Sequence, residues 1–213
     1  MTFLTQNMKY IVSQIIKRLS TGEGNPVIFL STEFGGGKTH TLLLLFHLFQ
    51  NRNEGFQYLK DNEIDKDLSI SNLPSANLVA IDCKRLDPLK LTLWGEIGKQ
   101  LNIYDLVKEY DEKRIVPNID IIMEMVDKPV LILIDELPNY LFSGHSVIVG
   151  KKTLSELTIN FIENLNAAIS NTQKSQLLIT LTGGQPIYSE EVGDIIKIKN
   201  NISMVNGNFY NVD

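Results

Sequence analysis

The sequence predicts an α/β protein whose mostly parallel sheet is sandwiched between helices, and three observations carry that prediction. Short runs that are apolar at most positions recur along the chain at residues 27–30 (VIFL), 78–83 (LVAIDC), 130–134 (VLILI) and 177–182 (LLITLT). Strands covered on both faces read this way. Helical stretches with a period near 3.6 lie between them, and strands alternating with helices favour a parallel sheet. The composition is 43% hydrophobic and 21% charged over 213 residues, which supplies a large core and argues against disorder. A chain of this size buries roughly 70% of its unfolded surface and needs no staple.

Taken in order, Ile11, Val12, Ile15, Ile16 and Leu19 form one stripe of a leading helix over about 5–20, with Lys9, Lys17 and Arg18 off it. The glycines and proline of TGEGNP end that helix. The VIFL strand opens a core expected to run over 26–182, and a glycine-rich loop then leads into an apolar helix over 41–49. Residues 50–77 turn polar and aperiodic, which reads as a surface excursion with room for a short helix. After the second strand, Leu93, Trp94, Ile97 and Leu101 make the inner stripe of a helix starting near Thr92, and 104–113 form another. Pro117 and Asn118 restart a helix with Ile119, Ile122, Met123 and Val126 facing inward. The VLILI strand is apolar throughout and is expected to be central. Thr153 with Glu156 three residues on is a capping box for a helix carrying Leu154, Leu157, Phe161, Leu165 and Ala168. Residues 194–213 suggest a last strand and a hairpin at Asn206-Gly207. One domain accounts for all of this.

Several classes are excluded. Cys83 is the single cysteine, so there is no internal disulfide framework and no multi-cysteine zinc site. The longest apolar stretch, 42–49, is far short of the ~20 residues of a membrane span, and the N-terminus lacks signal-peptide architecture. The chain is therefore read as cytoplasmic, with no membrane partner. Net charge is −5, with 20 basic against 25 acidic residues, and the four arginines (Arg18, Arg52, Arg85 and Arg114) are scattered. Nucleic acid is a conceivable partner that the charge does not support.

The chemistry concentrates in two places. The loop Thr32-Glu33-Phe34-Gly35-Gly36-Gly37-Lys38-Thr39 joins a buried strand to a helix. Glycines let successive amide hydrogens converge on phosphate oxygens, and the helix N-terminus adds its dipole. Lys38 offers a point charge for the terminal phosphates and the Thr39 hydroxyl a ligand for Mg²⁺. His40 follows as a further nucleotide contact. The usual P-loop pattern begins with glycine, whereas Thr32 stands here, so the strand-loop-helix context carries the assignment. The second place is Asp135-Glu136 at the exit of the VLILI strand, the edge of a parallel sheet where ligands sit. Asp135 is expected to hold Mg²⁺ beside Thr39, partly through water, and Glu136 to polarise the water that attacks the γ-phosphate of ATP. A third polar group is expected on a strand lying between the two motif strands. Thr180 and Thr182 share one face of the LLITLT strand, and Thr182, nearer its C-terminal end, is selected. His47 is expected to be packed or capped, Cys83 and Trp94 to be core, and His145 to lack metal partners.

The stretch VIFLSTEFGGGKTHTLLLLFHLF resembles the ATPases of the "domain of unknown function" family number 499. LTLWGEIGKQL, KPVLILIDELPNYL and the leading LTQNMKYIVSQIIKRL are similar to that family's other blocks, in the same order, so the resemblance spans about residues 3–182. It implies a three-layer P-loop ATPase of the AAA+-like group, related to the ATPases of BREX-type phage-resistance systems. Lys38 and Thr39 then take the phosphate and Mg²⁺ roles, Asp135 the metal role and Glu136 the base role. Such enzymes commonly add an arginine finger and a helical lid. Residues 183–194 (GGQPIYSEEVGD) hold no Arg or Lys, and the chain after them is too short for a complete lid. The sequence is accordingly read as the N-terminal piece of a longer protein or as one that takes a group from a partner. An arginine finger is worth ~10³ or more in rate. The expectation is slow Mg-dependent ATP hydrolysis powering movement in a homo-oligomer or larger assembly. The alternatives are an ATP-binding regulatory module with little turnover and a small-molecule kinase. A GTPase is disfavoured because no Asn-Lys-x-Asp motif occurs.

Overall fold

The structure, a computed structural model, describes residues 4–32, 37–64, 66, 68–182 and 208–210, with the side chains of Thr32, Thr182 and 208–210 outside that description. The main sheet contains β1 (Val27–Thr32), β2 (Asn77–Asp82), β3 (Val130–Asp135), β6 (Gln176–Thr182) and β7 (Asn208–Tyr210) in the order β2-β3-β6-β1-β7. Every pairing described in it is parallel. A separate antiparallel pair joins β4 (Ile148–Val149) to β5 (Lys152–Thr153). The VLILI strand is interior, as its uninterrupted apolar run predicts, and β6 lies between β1 and β3.

Alternation along the strands divides the core into two layers. Ile28, Leu30, Leu131, Leu133 and Leu178 face α1 (Gln6–Thr21), α2 (Lys38–Gln50) and α3 (Arg52–Asp61). Val27, Phe29, Val79, Ile132, Ile134 and Ile179 face the opposite layer. That layer holds α4 (Leu93–Gln100), α5 (Tyr104–Glu112), α6 (Ile119–Met125), α7 (Leu137–His145) and α8 (Leu154–Asn171). Helix starts follow local chemistry: Thr5, Thr92 and Asn118 each accept a backbone N–H of the first turn, and Thr153 with Glu156 forms the expected capping box. Among the described residues no helix is long and apolar enough to cross a membrane.

Three expectations are corrected. The polar stretch after Gln50 is not merely a surface excursion, because Leu59, Ile64 and Leu73 are buried with α1 and α2. Helix α6 is rotated from its expected phase: Ile119 and Met123 are exposed, while Ile122, Met125 and Val126 are buried. Arg18 is no surface residue. Its guanidinium is buried and donates to the carbonyls of Ile169, Thr172, Ser175 and Gly22, tying the end of α1 to the end of α8. Burial holds its pKa below the usual arginine value. The expected Asn206-Gly207 hairpin lies outside the described residues, and the short final strand that is described pairs with β1 in parallel.

Candidate functional site

The site grows from the C-terminal ends of β1, β3 and β6. At the start of α2, Gly37 is the N-cap residue with φ 75°, a left-handed conformation that glycine adopts without strain. It has no side chain to cap the first turn, and no acid occupies that turn. The amides there therefore keep their affinity for an external anion. Lys38 is the first helical residue. Desolvation by burial holds its pKa below the usual lysine value, while Glu136 and Asp135 pull in the opposite direction, so the ammonium lies within electrostatic reach of both acids.

Thr39 comes next, and its Oγ1 donates to Asp135 Oδ2 at 3.0 Å, across 96 residues of sequence. Asp135 Oδ1 accepts from Thr180 Oγ1 at 2.6 Å. The same Thr180 hydroxyl accepts the Glu136 backbone N–H at 2.7 Å. One buried threonine on the intervening strand thus fixes both acids. Thr180 was the threonine not selected from the sequence; it carries these contacts, while the Thr182 side chain lies outside the described residues. The signal that could have found it is the register, which advances β6 so that Ile134 pairs with Ile179 and Thr180 falls at the exit of β3.

Glu136 sits at φ 53° and ψ 49°, a left-handed conformation costing a non-glycine residue on the order of 1 kcal/mol. The turn sends the two adjacent acids in different directions. Asp135 meets Thr39 and Thr180, whereas Glu136 Oε2 accepts from Asn139 Nδ2 at 2.6 Å and pairs with Lys84 Nζ at 2.8 Å. The hydrogen bond to Glu136 raises the pKa of Lys84 above its ordinary value.

The DUF499 N-terminal domain matches residues 1–207. The chain belongs to the DUF499 family. No curated protein matches it.

Oxygen donors are what a hard divalent cation requires. Two cis ligands of an octahedral Mg²⁺ at ~2.1 Å stand ~3.0 Å apart. The Thr39 hydroxyl and Asp135 carboxylate of this DUF499 chain are separated by 3.0 Å. Among the described residues no group of three or more His, Cys, Asp or Glu is placed to hold an ion. A cation here would complete its shell with water and phosphate, as Mg²⁺ commonly does.

Two pockets flank α2. One of about 330 Å³ opens beside Thr39 and Asp135 and is lined by Leu42, Phe46, Ala80 and Asp82. The other, about 440 Å³, is lined by His40 with Leu4, Met8, Leu43 and Tyr58. His47 lines the second pocket too and is exposed, its ring meeting Phe46 edge-on rather than sitting in the core. Cys83 and Trp94 are core, and burial pushes the Cys83 thiol well above its ordinary pKa. Glu33, Phe34, Gly35 and Gly36 lie outside the described residues, so the expectation placed on them stays with the sequence.

Proposed function

We propose that this DUF499 chain binds Mg-ATP at the C-terminal edge of its sheet and hydrolyses it slowly. The observation that carries the reading is the Thr39–Asp135 contact. It joins the first turn of the helix that opens on Lys38 and Thr39 to the acid at the end of β3, a strand two places from β1 in the sheet, with a second acid adjacent. The strand order supports the reading as well. A strand separates the loop-bearing β1 from the acid-bearing β3, and its Thr180 braces the acids.

In this reading the first-turn amides of α2 and the Lys38 ammonium hold the β- and γ-phosphates. Thr39 and Asp135 would hold Mg²⁺, which neutralises phosphate charge when bound. Glu136 accepts a proton from water as the water oxygen bonds to the γ-phosphorus. The bond from that phosphorus to the β,γ-bridging oxygen breaks, giving ADP and phosphate. The largely apolar pocket beside His40 suits the nucleotide base. A three-layer P-loop fold of the AAA+-like group, work done in an oligomer or larger assembly and a role in phage defence are what the family resemblance adds to this proposal.

Replacing Glu136 tests it. Glu136→Gln keeps the shape and removes the base, so kcat should fall by ~10² or more while ATP remains bound. Single-turnover hydrolysis and nucleotide-release rates would show this. If neither turnover nor residence time changes, Glu136 is not the base. If the wild-type protein binds ATP without measurable turnover, the regulatory-module reading replaces hydrolysis.

A further inference from the structure

β2 ends one side of the main sheet, whose order is β2-β3-β6-β1-β7. The N–H groups of Asn77 and Cys83 donate to the carbonyls of Pro129 and Asp135, which turns the odd-numbered backbone of this stretch toward β3. Leu78, Ala80 and Asp82, one step out of phase, direct their N–H and C=O groups out of the sheet. Such an edge is a template for another extended chain. At Ala80 the outward groups are taken by a single side chain. Gln100, the last residue of α4, accepts the Ala80 N–H on Oε1 at 2.8 Å and donates from Nε2 to the Ala80 carbonyl at 3.0 Å. Its Nε2 also donates to Glu96 Oε1 at 2.6 Å, one helical turn back. A carboxamide is a peptide group without the chain, so Gln100 stands where a neighbouring strand would set one peptide unit.

Gln100 and Ala80 are both half-buried, so this cover has solvent to turn into. The flank of the edge is shaped as well. Val79 and Ile81 are buried in the layer of α4, whereas on the α2 side Leu78 and Ala80 are half-buried and Asp82 is exposed. The pocket of about 330 Å³ opens on that side and is lined by Leu42, Phe46, Leu133, Ala80 and Asp82. Ala80 contributes only a methyl group, which lets a bulky side chain on an added strand reach across it. The Asp82 side chain is 46% exposed, and its pairing with the more exposed Arg85 is of the weak surface kind. A cation on the same face of the added strand complements that carboxylate.

We propose that the outer edge of β2 docks an extended peptide segment of a partner protein, one carrying a bulky apolar residue with a lysine or arginine two positions away, and that Gln100 covers the edge until this segment displaces it. Main-chain hydrogen bonds to Ala80 and its neighbours supply affinity, and the pocket supplies specificity. A spacing of two puts both recognised side chains on one face of the added strand, the apolar one over the pocket and the cation at Asp82. The inference goes beyond the ATP reading and does not require it.

The test titrates the wild-type chain, Gln100→Ala and Phe46→Ala into the fluorescein-labelled peptide Thr-Val-Thr-Phe-Thr-Lys-Thr-Val and its reverse, read by polarisation. One of the two should bind the wild type, and Gln100→Ala should bind it about fivefold more tightly, because no competing hydrogen bonds have to be broken. Methylating alternate backbone nitrogens of the peptide, which keeps every side chain, should cost about tenfold or more. Phe46→Ala should weaken binding of the Phe peptide and leave a Ser-for-Phe peptide unaffected, a coupling that a merely structural Phe46 would not produce. Absence of binding to both the wild type and Gln100→Ala overturns the proposal. Equal binding of the N-methylated peptide overturns the edge, and affinity unchanged in Gln100→Ala overturns the cover. If sedimentation shows Gln100→Ala pairing with itself instead of taking the peptide, the occupant is a second copy and the partner segment is overturned. Should Gln100→Ala not fold, the wild type with the plain and N-methylated peptides decides by itself.

Discussion

Two carboxylates in this molecule, Asp111 and Asp135, are both satisfied by threonine hydroxyls, yet they sit in opposite kinds of environment. Asp111 is buried near the end of α5. Its Oδ1 accepts the backbone N–H of Thr92 at 2.8 Å and the Thr92 hydroxyl at 2.7 Å, and its Oδ2 accepts the Tyr104 hydroxyl at 2.7 Å. The α4 backbone closes over it so tightly that a Cβ on Gly95 would lie 2.5 Å from its carboxyl. Asp135 is half-buried, lines an open pocket and takes its donors from α2 and β6. The residue after it holds a left-handed backbone. A closed, saturated network of neighbours fastens two helices. Donors converging from a helix start and a neighbouring strand, beside strain and an opening, leave room for a ligand.

The comparison breaks most readily through stability. Asp111→Ala strands the buried Thr92 donors and takes the acceptor from the half-buried Tyr104 hydroxyl, and should cost about 3 kcal/mol. Asp135→Asn should cost no more than about 1 kcal/mol while weakening Mg-dependent nucleotide binding. Urea unfolding of the two variants checks the contrast, and equal losses would erase it.

A smaller effect sharpens it. Hydrogen bonding to Asp111, reinforced by desolvation, pushes the Tyr104 hydroxyl up to about 12. An unfolded tyrosine ionises near pH ~10. The folded pKa is the higher one, so this contribution to stability is complete below about pH 10 and is lost as pH rises toward 12. Tyr104→Phe should lower neutral-pH stability by about 1 kcal/mol and flatten that alkaline limb. Unfolding curves from pH 8 to about 12 would show whether the limb depends on Tyr104.

Much of the fold was legible because strand burial writes itself as unbroken apolar runs, and because caps such as Thr153 with Glu156 are local chemistry. Helix phase was less legible in α6, where seven residues include five apolar ones and any of several faces could turn inward. Arg18 escaped notice because its acceptors are carbonyls as far as 157 residues away, brought to it by packing alone. At the candidate site, Asp135 and Glu136 were visible as a pair ending a strand. Thr180 was one of two candidates and lost to Thr182, and Lys84 was not seen at all, since each reaches that pair only through strand register.

The central claim is that Lys38, Thr39 and Asp135 receive the phosphates and magnesium of ATP. Calorimetric titration of the chain with ATP, with and without Mg²⁺, beside Lys38→Ala tests it most directly. The account predicts saturable Mg-dependent binding by the wild type and a loss of about tenfold or more in affinity for Lys38→Ala, the worth of a charged hydrogen bond. No uptake of ATP at millimolar concentration by the wild type, or equal affinity in the variant, would contradict it.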